Sequence, residues 1–174
     1  MTLFTASFTA WADGRFVFAG REVQCALGRS GVVAADAKRE GDGATPLAPM
    51  PMRRVFWRPD RGAAPVTGLP VQAIERADGW CDAPADPAYN RPVTLPYPAS
   101  AERMWRDDGL YDLVVELGWN DAPPVPHLGS AIFLHCARQD WAPTEGCIAL
   151  AKPDLEAALA LAGPGSAVEV RADG

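Results

Sequence analysis

The amino-acid sequence predicts a single, mainly β domain with one or two short helices, and three observations support this fold class. The 174 residues are 48% hydrophobic and 22% charged, a composition that suits one soluble domain with its own core. The 16 glycines and 17 prolines are dispersed along the chain, as expected for many short elements joined by turns. Asp-Gly pairs, which favour tight turns, begin at Asp13, Asp42, Asp78 and Asp108.

Runs of β-branched and aromatic residues predict the strands. The chain opens with a β-meander, in which residues 3–11 and 15–19 flank the first Asp-Gly pair and residues 22–27 follow. Further strands are expected at residues 53–57, 71–74, 110–117, 131–135 and 167–170.

One helix is predicted to begin at Pro153 and to end at Gly163. Proline is favoured in a first turn, and Asp154 and Glu156 suit the N-terminal end of the helix dipole. A shorter helical turn is expected at residues 100–105. The segment 82–97, with its several prolines, is expected to be an extended loop.

Charge and hydropathy exclude several classes of function. The formal net charge of −6 argues against a nucleic-acid partner, since phosphate binding needs a basic surface. No apolar run approaches the roughly 18 residues of a membrane-spanning helix.

The N-terminus, from Met1 to Thr5, lacks the features of a secretory signal. The four cysteines form no CxxC pair, and a chain of this length does not need disulfides.

The stretch from residue 131 to residue 150 contains the residues suited to catalysis. An apolar strand ends at His135, a polar loop follows, and Gly146-Cys147 leads back into apolar residues. A thiol, with a pKa of about 8.5, is mostly protonated at neutral pH, and an imidazole that accepts its proton makes it a nucleophile. Gly146 would let a substrate carbonyl approach, and the backbone N–H groups around Gly146 and Cys147 would bind an oxyanion.

Non-catalytic interpretations of these residues remain open at this point. Cys147 is also suited to the role of a small buried hydrophobe, and His135 to that of a hydrogen-bonded structural residue. A zinc site built from His127, His135 and Cys147, or with Cys136, lacks the usual ligand spacing, and no HExxH motif occurs. No metal or other cofactor is therefore predicted.

The same stretch resembles the L,D-transpeptidase family, whose catalytic unit is the YkuD domain. The family pattern is a histidine after an apolar strand, followed by Ser/Thr-His-Gly-Cys, a small apolar residue and arginine. The resemblance covers residues 20–162 most strongly, within one domain of residues 1–174. It includes a Thr-Pro turn and a subgroup's motifs, found here as Gly41-Asp42-Gly43-Ala44-Thr45-Pro46, Trp80-Cys81-Asp82, Tyr89-Asn90 and Gly129-Ser130-Ala131-Ile132-Phe133-Leu134-His135.

The resemblance implies a β-sandwich or β-barrel domain and a cysteine acyltransferase that acts on peptidoglycan stem peptides. Cys147 would attack a stem-peptide carbonyl to form a thioester. His135, oriented by a backbone carbonyl, would act as the base and then as the acid. An amine from a second stem would resolve the thioester to give diaminopimelate–diaminopimelate or L-alanine–diaminopimelate cross-links. The alternatives are a hydrolytic L,D-carboxypeptidase or amidase and a catalytically silent cell-wall-binding module. The substrate implies a periplasmic location, and a monomer without cofactor is expected.

Three departures from the family pattern bear on substrate binding. Glu145 stands where the family has histidine, Ala149 stands where it usually has arginine or asparagine, and the interval from His135 to Cys147 is shorter. A carboxylate of the substrate must therefore be bound by another group. The groups considered for this role are Arg138, Asn90 and an arginine cluster (Arg53, Arg54, Arg58 and Arg61). The full set of expected substrate-binding residues is Glu145, Thr144, Trp141, Arg138, Asn90 and Tyr97.

Overall fold

The computed structural model describes residues 6–172, which form fourteen strands, one α-helix and one short 3-10 turn at Ala35–Ala37. The helix, α1, spans Lys152–Leu159. The strands are β1 (Phe8–Trp11), β2 (Arg15–Phe18), β3 (Arg21–Ala26), β4 (Val32–Ala34), β5 (Thr45–Leu47), β6 (Pro49–Trp57), β7 (Val71–Ala73), β8 (Asp78–Cys81), β9 (Pro92–Thr94), β10 (Ala101–Arg103), β11 (Leu113–Leu117), β12 (Phe133–Cys136), β13 (Ile148–Leu150) and β14 (Ala167–Arg171).

Nine strands form one sheet in the order β11-β12-β13-β3-β2-β1-β14-β6-β7. β6 also pairs with β11, so the sheet closes on itself as a barrel and β7 lies outside the closed ring. The length of β6 makes this closure possible. Its first residues pair with β14, while the part from Met52 to Trp57 pairs with β11. The observed architecture confirms the predicted mainly β fold and its barrel form.

Two apolar clusters lie on the two sides of the barrel wall, because side-chain direction alternates along a strand. The inner cluster includes Phe16, Leu134 and Ile148, and α1 contributes Leu155 and Leu159 to it. The outer cluster covers β6, β11 and β12, and it includes residues of β8 and of the loops around that strand. Its buried members are Phe56, Ile74, Trp80, Met104, Tyr111, Val114, Phe133 and Cys147.

The opening meander and the start of the helix confirm the local predictions, whereas the helix ends at Leu159 and not at the predicted Gly163, because residues 160–161 form a turn. β1 and β2 form an antiparallel hairpin in which Gly14 has a φ of +90°. Residues 3–5 of the first predicted strand lie outside the described residues. α1 begins one residue before Pro153, and Asp154 lies in its first turn as expected. Within residues 6–172, no helix is both long and apolar enough to cross a membrane.

Three local predictions are wrong, and all concern a small sheet in the order β10-β8-β9. Residues 100–105 form no helical turn, because Ala101–Arg103 pairs with β8 as a strand. The expected loop at 82–97 contains β9, which pairs with the other edge of β8. The Asp78-Gly79 pair lies inside β8 instead of forming a turn. A Cβ atom on Gly79 would come within 2.9 Å of the Leu95 side chain, so any larger residue there would force Leu95 to move.

Candidate active site

His135 lies on β12, and Cys147 directly precedes β13, the neighbouring parallel strand of the barrel wall. His135 on β12 pairs with Ala149 on β13, and Cys147 comes two residues before Ala149. Because residues two apart on a strand face the same side, both side chains point outward. They line one cleft of about 450 Å³ on the outer face of the barrel. The loop between residues 136 and 147 forms part of its rim.

The His135 ring is buried, and a backbone carbonyl fixes its orientation. Nδ1 lies 2.8 Å from the carbonyl oxygen of Cys136. Since a carbonyl only accepts hydrogen bonds, Nδ1 carries the hydrogen and Nε2 presents a lone pair. The Tyr111 ring packs against the imidazole at a tilted angle, with 5.4 Å between ring centroids. Burial lowers the pKa of His135 to about 4, so the ring is neutral at physiological pH.

The Cys147 thiol is almost fully buried and is held by backbone groups. Its Sγ donates to the carbonyl oxygen of Ala131 at 3.2 Å and accepts the N–H of Phe133 at 3.4 Å. Burial, and next the negative charge of Glu102, raises the pKa of this thiol to about 12. The resting pair is therefore a neutral thiol and a neutral imidazole, not a thiolate–imidazolium ion pair.

A tight turn built on Thr144 presents the thiol. The Thr144 hydroxyl accepts the N–H of Gly146 at 3.1 Å and donates to the carbonyl oxygen of Cys147 at 2.7 Å. Gly146 has a φ of +132°, and a Cβ atom there would lie 2.9 Å from the carbonyl oxygen of Ala44. The turn thus requires glycine for two independent reasons.

The hydrogen bonds of this turn limit the donors available to an oxyanion. The Gly146 N–H is already bonded to the Thr144 hydroxyl. Among residues 6–172, no acceptor faces the N–H of Cys147. The Cys147 N–H, like that of Glu145, is therefore free in this turn, and we expect the Cys147 N–H to bind an oxyanion because the nucleophile itself carries it.

Two of the departures from the family pattern, Glu145 and Ala149, have simple structural consequences. The Glu145 side chain is 78% exposed at the cleft rim, and it accepts a hydrogen bond of 2.9 Å from Arg29. It therefore points its charge towards solvent and not at the buried thiol. Ala149 is buried in the cleft lining, where its methyl group brings no charge beside Cys147.

The cleft brings together only part of the predicted substrate-binding set. Arg138, Thr144 and Glu145 line it, whereas Trp141, Asn90 and Tyr97 lie outside its lining. Trp141 is half-buried in the loop between His135 and Cys147. The Tyr97 hydroxyl donates to Asp86 at 2.8 Å.

Asn90 is buried, and all its amide hydrogen bonds run to the protein itself. Its Oδ1 accepts from the Trp80 indole and from the backbone N–H of Ala131, both at 3.0 Å. Its Nδ2 donates to two backbone carbonyls of the loop after β11. The carbonyl oxygen of Ala131 accepts the hydrogen bond from the Cys147 thiol. By binding the N–H of Ala131, Asn90 therefore fixes the backbone that holds the nucleophile.

The arginine cluster does not line the cleft. Arg53, Arg54, Arg58 and Arg61 are each paired with a carboxylate elsewhere, at N–O distances of 2.6 to 3.0 Å. The charges of these four guanidinium groups are therefore balanced by carboxylates outside the cleft, and none of the four lines the cleft beside Cys147.

Sequence reasoning missed several charged residues of the cleft. Glu102 on β10 and Arg106 just after it line the cleft. The Tyr111 hydroxyl donates to Glu102, and Asp108 binds the Arg106 guanidinium. Glu40 also lines the cleft and accepts a hydrogen bond of 2.8 Å from Ser130. Only the spacing of Glu102 and Arg106, four residues apart, offered a signal, and it suggested a helix.

Within residues 6–172, no group of three or more His, Cys, Asp or Glu residues is arranged to hold a metal ion. His127 is exposed in a loop, away from His135 and Cys147. All four cysteines are free thiols.

Comparison with known families gives one match, which covers nearly the whole chain. The family model of the L,D-transpeptidase catalytic domain, YkuD, matches residues 5–170. Comparison with curated proteins and with solved structures gives no significant match.

Proposed function

Because the chain belongs to the L,D-transpeptidase catalytic-domain (YkuD) family, we propose that it is a cysteine acyltransferase that joins peptidoglycan stem peptides. One observation carries this proposal. Cys147 and His135, whose Nε2 is unprotonated, line the same cleft, with His135 on β12 and Cys147 directly before the adjacent strand β13. Since peptidoglycan lies outside the cytoplasmic membrane, we propose the cell envelope, and in particular the periplasm, as the site of action.

In the first half-reaction, His135 Nε2 takes the thiol proton as Sγ attacks a stem-peptide carbonyl. A C–S bond forms, and the negative charge moves to the carbonyl oxygen, where the Cys147 N–H stabilises it. Collapse of this intermediate breaks the C–N bond. The protonated His135 gives its proton to the departing amine, which leaves a thioester on Cys147.

In the second half-reaction, an amine of another stem peptide attacks the thioester. A C–N bond forms and the C–S bond breaks, while one amine proton passes through His135 to the departing sulfur. The product is a cross-link from a stem carbonyl to the side-chain amine of diaminopimelate. The donor carbonyl belongs either to diaminopimelate or to L-alanine. Water in place of the amine would give the hydrolytic reaction of a carboxypeptidase.

The neutral resting pair implies that the substrate drives the proton transfer. Moving a proton from a group with a pKa of about 12 to one with a pKa of about 4 crosses eight pKa units. This corresponds to about 11 kcal/mol before the attraction between the two product ions is counted. A free thiolate is therefore scarcely populated. Proton transfer must accompany C–S bond formation, with the oxyanion contact supplying part of the stabilisation.

The test is an assay of purified protein with stem peptides, read by intact mass and by chromatography of the products. Wild-type protein is expected to gain a covalent acyl adduct on Cys147 and to form peptide dimers. Cys147→Ala should form neither. Cys25→Ala is the matched control, since Cys25 is a buried cysteine of the inner cluster, and it should retain both.

Three outcomes would contradict the proposal. Dimers formed equally by Cys147→Ala would exclude this nucleophile. An adduct followed only by trimmed monomers, with acceptor present in excess, would identify a hydrolase. Folded protein without adduct or product would favour the silent binding module.

A further inference from the structure

Two opposite charges stand side by side in the cleft next to Cys147. Arg106 Nη1 lies 3.6 Å from Glu102 Oε1, which is a charge contact but is too long for a good hydrogen bond. Both side chains are partly accessible, Glu102 at 26% and Arg106 at 29% exposure. A ligand that enters the cleft therefore meets a carboxylate and a guanidinium together.

Each of these two charged side chains is held in place by hydrogen bonds to a different neighbouring residue. The Tyr111 hydroxyl donates to Oε1 of Glu102. Asp108 accepts from Nε and Nη2 of Arg106, the latter at 2.6 Å. Among the hydrogen bonds of the described residues, Oε2 of Glu102 and Nη1 of Arg106 have no partner. Glu102 therefore keeps one free hydrogen-bond acceptor and Arg106 one free donor group, and both are available to a ligand.

The same anchors fix the pair relative to the reacting groups. The Arg106 guanidinium lies over the Tyr111 ring, 5.0 Å from its centroid, and that ring packs against His135. Tyr111 also shares the outer cluster with Cys147. A ligand bound by Glu102 and Arg106 would therefore be oriented with respect to both the imidazole and the thiol.

We propose that Glu102 and Arg106 select the acceptor of the transfer as an α-amino acid, with Glu102 binding its ammonium group and Arg106 the carboxylate on the same carbon. This inference rests on the proposed function. Amines that lack a neighbouring carboxylate would leave the Arg106 donor unpaired in the cleft. Ala149 brings no competing charge, and the other guanidinium of the lining, Arg138, is more exposed at 48%.

The bound ammonium must lose a proton before its nitrogen can attack the thioester. Glu102 is the acceptor for that proton, and burial raises the pKa of its carboxyl group above the usual range. The neutral amine then forms the new C–N bond, and its second proton passes through His135 to the Cys147 sulfur as the C–S bond breaks. Glu102 releases its proton to water once the amide product has left.

The experiment compares glycine with glycinamide as acceptors for the preformed acyl-enzyme. These two amines differ in the carboxylate that Arg106 would bind. The measured quantity is the partition of the thioester between aminolysis and hydrolysis. Wild-type enzyme should use glycine at least tenfold better than Arg106→Gln does, while glycinamide use changes little. Glu102→Gln, which still accepts the Tyr111 hydrogen bond, should lose at least tenfold with both amines.

Arg171→Gln is the matched control. Arg171 also pairs with a carboxylate two residues away and lies over an aromatic ring, but on β14, far from the cleft in the barrel wall. It should behave as wild type. Glu102→Asp and Arg106→Lys, which keep the charges, should recover part of the acceptor preference, and they replace the glutamine variants if those do not fold.

Acyl-enzyme formation is measured separately by intact mass, so the two proposals fail in different ways. Absence of the Cys147 adduct in wild type would contradict the proposed function. A normal adduct with the same glycine-to-glycinamide ratio in wild type, Arg106→Gln and Arg106→Lys would overturn the present inference.

Discussion

Replacing His135 by glutamine would test whether the resting thiol is neutral, as its surroundings indicate. With a pKa of about 12, only about one Cys147 side chain in 10,000 is thiolate at pH 8, against about one in four for a thiol with the ordinary pKa of about 8.5. Because His135 is itself uncharged, it does not hold that thiolate in place. His135→Gln should change alkylation of Cys147 by iodoacetamide by less than about threefold, whereas acylation by a stem peptide should fall about 100- to 10,000-fold.

The assay is peptide-resolved mass spectrometry of alkylation from pH 5 to pH 10, run beside the peptide acylation rate. Alkylation of Cys147 should rise with pH across the whole range. Cys136 serves as an internal reference, since burial raises its pKa to about 11 and it packs in the inner cluster. A reactivity plateau near neutral pH, lost tenfold or more in His135→Gln, would refute the reasoning, because it would reveal a thiolate–imidazolium pair.

Three further predictions concern the same site. Since the pKa of His135 falls from 6.5 to about 4 on folding, the contribution of this residue to the unfolding free energy should be constant above about pH 7 and should drop by about 3 kcal/mol as the pH falls towards 4. Urea titrations between about pH 4 and about pH 8 should show this slope, and its persistence in His135→Gln would assign it to another group. Gly146→Ala should cost about 1–3 kcal/mol because of its φ and the contact with Ala44, and an unchanged melting temperature would contradict this. Thr144→Val removes two hydrogen bonds, so it should lose about 2 kcal/mol and slow acylation, while Thr144→Ser should lose neither.

The features that depend on local sequence could be predicted. The Asp13-Gly14 hairpin and the helix near Pro153 follow from turn chemistry and first-turn preferences, which act over a few residues. The shared direction of His135 and Cys147 also has a local basis, because each belongs to or adjoins a short apolar strand. Closure of the barrel through β6 and β11 joins residues some 60 positions apart, and no local pattern specifies that partner.

The positions of Glu102 and Arg106 in the cleft could not be predicted, because tertiary pairing overrides local preference around residue 102. Ala101, Glu102 and Arg103 suit a helix by intrinsic propensity, yet hydrogen bonding to β8 holds them extended. The position of Asn90 was equally hidden. An asparagine in a proline-rich segment is typical of a turn, and only the fold shows that its amide joins the Trp80 indole to the backbone under the thiol.

The two reacting residues and the proposed acceptor-binding residue Glu102 belong to different sheets, the barrel and the small sheet beside it. His135 belongs to β12 and Cys147 directly precedes β13, both within the closed ring, whereas Glu102 lies on β10 in the three-stranded sheet outside that ring. On the proposed role of Glu102, sequence changes in this small sheet can therefore alter which acceptors are used without moving the thiol or the imidazole. If residues 78–106 replaced the corresponding segment of another barrel of this architecture, the preference for the acceptor amine should be transferred with them.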